Sequence, residues 1–256
     1  MSDKPPPVNI FRVGVSRTYK FDLGHFGGSE LKILRAKKHL LELEQTIQAY
    51  VADPASTDKQ NWDSNTSAAQ LRAAMGAMVG DVIHNLRAAL DLMACDLVRL
   101  SGGNPKGVYF PFSKTADGLN KKIKDRDFNR AGSDAVALLK TYEPYEGGNS
   151  SLYDIHSLDI TDKHQMLILS HDLVSWTVEG SGEVQTVSTP ETITHTATGV
   201  VTLADPPPHA AIQIAFPEGG PFAGKEVITT LQGLVESVTT VVKAFALLRE
   251  RRSSVN

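Results

Sequence analysis

The sequence predicts an α+β protein, a helical bundle of long amphipathic helices with an antiparallel β-sheet between the later helices. Two observations carry this expectation. Long proline-free stretches repeat apolar residues at intervals of three and four, whereas residues 171–216 change to short, alternating Thr- and Val-rich runs separated by Gly, Ser and Pro. Long apolar helix faces must cover one another, so the helices are expected to form a bundle with the sheet inserted or appended. The whole chain, 1–256, reads as a single domain, with its helical part at about 29–169 and 224–252 and its β-sheet part at about 171–216.

The elements follow in order. An extended start from Val8 to Phe26 leads into "SELKILRAKKHLLELEQTIQAYV", where Ser29 is the expected N-cap. Leu31, Leu34, Leu41 and Ile47 mark the apolar face there, and Asp53-Pro54 stops the helix. From Ser67 to Leu100 there is no Pro, and Gly102-Gly103 closes the run. Such a helix would reach roughly 50 Å at about 1.5 Å per residue, with Gly76 or Gly80 as the place for any kink. "VYFPF" should be a short extended segment, since Pro111 suits an edge and not a central strand. Shorter helices are expected over Ala116–Arg126 and Ser133–Leu139, then the turn "YEPYEGG", then a helix from Ser151 to Leu169. "VSWTVEG", "EVQTVS", "TITHTA", "GVVTLA" and "AAIQIAF" should form about five strands. A last helix, about Gly224 to Arg251, carries Val227, Leu231, Leu234, Val238, Val241, Phe245 and Leu248 on one face.

Composition narrows the functional classes. With 41% hydrophobic and 21% charged residues the chain is globular in type, and a net charge of −3 provides no long-range attraction for nucleic acid. RNA binding would then need a local basic patch. The single cysteine, Cys95, can form no intramolecular disulfide, and "MSDKPPPVNI" lacks the apolar run of a secretion signal. No stretch reads as long and apolar enough to cross a membrane. A cytoplasmic setting without membrane association is expected.

The segment "GDVIHNLRAALDLMACDLV" sets polar groups into an otherwise apolar helix. On a helical wheel at about 100° per residue, Val82, Leu86, Ala89, Leu90, Met93 and Leu97 share one side, and His84, Arg87 and Asp91 line up along another. Arg87 and Asp91, four apart, can pair. Their stripe companions are the small residues Ala77, Gly80, Ala88 and Cys95, none a usual solvent-facing choice. The stripe is therefore expected to lie against a neighbouring element or a second subunit. A homodimer formed partly through this helix follows as an expectation.

A second constellation lies in "LYDIHSLDITDKHQMLIL". Leu152, Ile155, Leu158, Met166 and Leu169 mark its apolar side, with Asp162 at the centre and Asp159 near the edge. A carboxylate there needs a partner, so both are read as structural acids. His156, Asp159 and Lys163 form a further row with His164 beside it, and no HExxH pattern marks a metal site.

Three segments, "RAKKHLLELEQTIQAY", "GDVIHNLRAALDLMACDLV" and "YEPYEGGNSSLYDIHSLDITDKHQ", resemble an uncharacterised family of bacterial proteins with paired HNLRxALD and LHxLDxxDKH helices. That resemblance implies no established activity. More loosely, the chain resembles the HEPN ribonuclease superfamily, helical bundles with an Arg followed four to six residues later by a His on one helix. Arg87 matches the Arg. Leu92 stands where the His is expected, and Ala88 replaces the polar residue usual after the Arg.

The function expected is a metal-independent, HEPN-like endoribonuclease or defence protein that needs no cofactor. His84 would take the ribose 2′-OH proton, Arg87 would stabilise the phosphorane charge with Asp91 beside it, and His164 would return a proton. Asn85, Lys163, Lys121 and Lys122 would contact substrate. Lys121, Lys122, Lys124, Arg126 and Arg130 form a basic cluster, and "RERR" near the C-terminus suits the negative end of a helix dipole. Two alternatives stand beside this. One is a non-catalytic helical binding or assembly module that has lost the His, and the other is a metal-dependent hydrolase built on His84, Asp91, His156 and His164.

Overall fold

The computed structural model describes residues 25–52, 66–164, 170–177, 184–188, 211–217 and 219–255. Helix α1 (Gly27–Ala52) runs against α2 (Thr66–Leu100), the most extensive helix pairing among these residues. Helix α6 (Val227–Val255) packs on both, and α5 (Ser150–His164) lies against α2 and α6. Helix α3 (Ala116–Asp125), a 3-10 turn (Phe128–Ala131) and α4 (Ser133–Thr141) occupy the stretch between α2 and α5. Thr115 caps α3 by accepting from the Gly118 N–H, and Leu119 and Ile123 bury its one apolar face.

The core forms around α2. Val82, Leu86, Ala89, Leu90, Met93 and Leu97 are all fully buried, so the apolar side expected of this helix is the one that packs. They meet Leu152, Ile155 and Leu158 of α5, Val227, Leu231, Val238 and Phe245 of α6, and Phe110 and Phe128 from the intervening stretch. Phe128 packs edge-on against both Phe110 and Phe245.

Several expectations are corrected. The described residues are predominantly helical, and the α+β class is wrong. Extended structure among the described residues is limited to β1 (Ser170–Thr177), β2 (Val184–Ser188) and β3 (Ala211–Ala215), a short antiparallel ladder in the order β2-β1-β3. The physical reason lies in the core. The long helices α1, α2, α5 and α6 supply most of the buried side chains among the described residues and cover one another's apolar faces. The expected strands "TITHTA" and "GVVTLA" lie outside the described residues, as does the start from Val8 to Gly24. Helix α5 stops at His164, and Met166 and Leu169, expected on its apolar side, are likewise outside them.

The face of α1 is also corrected. Leu31, Leu34 and Leu41 are 49%, 62% and 53% exposed, whereas Ile33, Ala36, Leu40, Leu43 and Tyr50 are buried. Ser29 is not the N-cap. Helix α1 starts two residues earlier, which puts Ser29 inside the first turn, fully buried. Asp96 of α2 instead accepts the Phe26 N–H at 3.2 Å, placing a carboxylate where the positive end of the helix favours one.

Finally, Val227–Arg251 of α6 is long enough, and at a mean hydropathy of 1.4 apolar enough, to cross a membrane. This corrects the expectation that no stretch is. The residues that raise its hydropathy, Val227, Leu231, Val238 and Phe245 among them, line the core. Gln232, Glu236, Lys243 and Glu250 are exposed on its other side, the pattern of an amphipathic core helix.

Candidate functional site

The polar stripe of α2 is covered within the chain, and by two different neighbours. Toward the helix start it meets α5. Gly80 is buried there, and an added Cβ would collide with the Asp162 carboxylate, so only a glycine lets that carboxylate sit against the α2 backbone. One turn on, His84 Nδ1 lies 3.2 Å from Asp159 Oδ1. The imidazole is 53% exposed and the carboxylate only 5% exposed. A carboxylate can only accept, so Nδ1 carries the hydrogen, which in the neutral imidazole leaves the lone pair on Nε2.

Toward its end the stripe meets the segment after α2. The Arg87 guanidinium ion-pairs with Asp91, donates to the Phe110 carbonyl at 3.5 Å and lies 4.6 Å from the centre of the Phe112 ring. Asp91 in turn accepts the Phe110 N–H at 2.8 Å. His156 of α5 stacks on Phe112, with ring centres 4.8 Å apart and an interplanar angle of 7°. Arg87 and Asp91 thus close a two-sided bond to one residue, Phe110, and fix the irregular run that contains it. Cys95, one turn further, points its thiol at the Val108 carbonyl, and burial pushes its pKa above the usual thiol value.

A third side of α2 faces α1. Asn85 is buried, donates to the Asp81 carbonyl and accepts from Lys32 Nζ at 3.3 Å. His39 lies 3.3 Å from Glu42 and 4.0 Å from Asp81. His84 is therefore flanked along α2 by a buried acid from α5 and by a lysine from α1 that reaches the next residue in sequence.

The expected site residues separate accordingly. His84 meets Asp159 of α5, Asp162 lies against Gly80, Asn85 instead meets Lys32 of α1, and Arg87 and Asp91 join the Phe110–Phe112 segment. The burial of the two acids is the reverse of the expectation. Asp159 is buried and Asp162 is only half-buried, because Asp162 sits in the last turn of α5 opposite a residue without a side chain. Lys163 and His164 end α5, and their side chains lie outside the described residues. Lys121 is exposed and Lys122 half-buried on α3, a helix that packs on the 3-10 turn, and neither is brought to His84 by any described hydrogen bond or ion pair.

No family model matches the chain, and no curated protein and no solved structure matches it either.

Lys32, His39 and Asp81 were not singled out from the sequence. Their signal is weak: a lysine and a histidine seven apart on α1 look like ordinary surface residues until the helix pairing is known. Among the described residues no group of three or more His, Cys, Asp and Glu stands together as a metal site would require, so the metal-dependent alternative receives no supporting observation. Two grooves, of about 540 Å³ between α1 and α6 and about 640 Å³ between α1 and α2, include neither His84 nor Arg87.

Proposed function

We propose that the protein is a metal-independent endoribonuclease in which His84 is the general base. The observation that supports this is the pairing of a half-exposed imidazole with a buried carboxylate, His84 with Asp159, which fixes the ring and leaves Nε2 directed away from its partner. His84 takes the proton of a ribose 2′-OH, the 2′ oxygen attacks phosphorus, and the bond to the 5′ oxygen breaks. A 2′,3′-cyclic phosphate and a 5′-OH result. Asp159 stabilises the imidazolium formed on the way, the role a buried acid has behind a catalytic histidine. Lys32 and Lys163 offer positive charge for the phosphate, and His164 or solvent protonates the departing oxygen. The half-exposed imidazole can be approached by a polymer strand. In this reading the HEPN resemblance is one of reaction class. Arg87, already committed to Asp91 and Phe110, holds the fold beside the site.

One observation favours a second reading, a helical assembly module without catalysis. Leu92 stands at the HEPN histidine position and packs toward Gly28 at the start of α1, while the matching Arg87 is spent on structure.

Incubation of the protein with single-stranded RNA in the presence of a chelator distinguishes the two. The enzyme reading expects cleavage to cyclic-phosphate ends, lost by roughly 100-fold or more in His84→Ala and in His84→Gln, which keeps a donor for Asp159, with circular dichroism checking that each variant is folded. Absence of cleavage, or cleavage that survives His84→Ala, overturns it.

A further inference from the structure

The α2 stripe is covered by α5 and by the segment through Phe110, so it has no need of a second subunit. Another surface does. Leu31, Leu34 and Leu41 lie within about 80° of one another on the exposed side of α1, and each is about half exposed or more. Leu41 stands on the wall of the groove between α1 and α6.

Four charges line that groove: Lys37 and Glu44 on α1, and Glu236 and Lys243 on α6. Among the described residues none of them makes an ion pair within the chain. On each helix the two charges are opposite in sign and seven residues apart, which sets them on one face at a separation of roughly 10 Å. The order along the chain is positive then negative on α1, and negative then positive on α6. A helix with this reversal is complementary to an antiparallel copy of itself, because a two-fold rotation about its midpoint lays each charge on the opposite one.

We propose that the groove between α1 and α6 docks a second copy of this chain. The two-fold axis lies in the face of the groove, at right angles to both helices. It crosses α1 between Leu40 and Leu41 and α6 between Thr239 and Thr240. Lys37 then meets the second copy's Glu44, and Glu236 meets the second copy's Lys243. Leu41 packs on its own counterpart. The interface is isologous, so each pairing occurs twice. Apolar contact supplies the attraction, and the charges fix the antiparallel register and penalise other arrangements. The surface lies away from His84, and the proposal does not depend on the protein being a nuclease.

Sedimentation equilibrium of the full chain provides the test. The wild type is expected at twice 27.7 kDa in the micromolar range. Lys37→Glu sets two glutamates against each other in both symmetry-related places, and Glu44→Lys sets two lysines, so each variant alone should dimerise with a Kd higher by roughly tenfold or more. An equal mixture of the two variants restores both pairings and should recover the wild-type affinity, as should the chain carrying both substitutions. Circular dichroism melting checks that each variant is folded. A wild type that sediments as a monomer at tens of micromolar overturns the proposal. So does a mixture no tighter than its components, or a set of variants all as dimeric as the wild type, which would place the contact on another face.

Discussion

His84 with Asp159 and Arg87 with Asp91 are both nitrogen–carboxylate pairs on one stripe of one helix, less than a turn apart, yet they are built for different tasks. In the first the acid is buried and the base half exposed, and only one ring nitrogen is used. In the second the guanidinium is 10% exposed, and both partners also bind the backbone of Phe110. A charged group whose hydrogen-bonding capacity is used by the fold is part of the fold. One whose capacity is left over on the surface is available to a ligand. The kind of residue does not separate the two cases; the neighbour each one meets does. Helix α5 presents a single carboxylate oxygen to His84, whereas the segment through Phe110 presents a carbonyl, an N–H and an aromatic face to Arg87 and Asp91.

The largest expected effect is on the structural side of that contrast. Arg87→Ala removes the cation from Asp91, leaves the Phe110 carbonyl without its donor and uncovers the Phe112 ring. Chemical denaturation should show a loss of about 3 kcal/mol, in the range for breaking a mostly buried pair by removing one member. A loss below about 0.5 kcal/mol would mean that Arg87 is as available as His84, and the distinction would fail.

Gly80→Ala acts on the other side. The new Cβ collides with the Asp162 carboxylate, and the acid must turn or the helices must part. Overpacking of this kind costs about 1 to 3 kcal/mol. Asp162 is half-buried and short, so the lower end of the range is expected by thermal denaturation. If α2 and α5 separate, His84 leaves Asp159, and any activity that depends on that pair should fall further than stability does. An alanine that changes neither would show that the crossing is looser than the contact implies.

The parts of this arrangement legible in the sequence are those a single helix decides. The inner face of α2 is one: its apolar residues follow one helical stripe and all of them are buried. The pairing of Arg87 with Asp91 is another, because four-residue spacing places them side by side whatever surrounds them. The face of α1 was not legible. Leu31, Leu34 and Leu41 repeat at helical spacing, and so do Ile33, Ala36, Leu40 and Leu43, and only the packing of α2 and α6 selects the second set. The order of burial of Asp159 and Asp162 was hidden for a related reason. A helical wheel reports direction around the axis and is silent about position along it, and Asp162 lies where the helix is ending. Of the β-rich reading of 171–216, the runs now seen as β1, β2 and β3 are antiparallel strands, and it is the class that fails, because helices dominate the described residues. The interhelical partner of His84 was the least legible, since it joins residues 75 apart in the chain.

The smallest effect concerns another acid on α5 and tests how far the contrast extends. Asp159 and Asp154 share the helix, but Asp154 has no histidine beside it. Burial pushes its pKa above the ordinary 3.8, Lys225 opposes the shift and Glu146 adds to it. A carboxyl whose pKa is raised by folding binds its proton more tightly in the folded state. Stability therefore declines as pH rises from the ordinary value through the raised one, and the cost is present in full above that window. Asp154→Asn removes the ionisation and with it the cost. The variant should melt slightly higher than the wild type at neutral pH, and the difference should shrink as pH is lowered through the acid range. Melting curves of the two proteins across that range measure it. A variant that melts lower at neutral pH would show that the attraction of Lys225 outweighs burial, making Asp154 a paired acid of the same kind as Asp159.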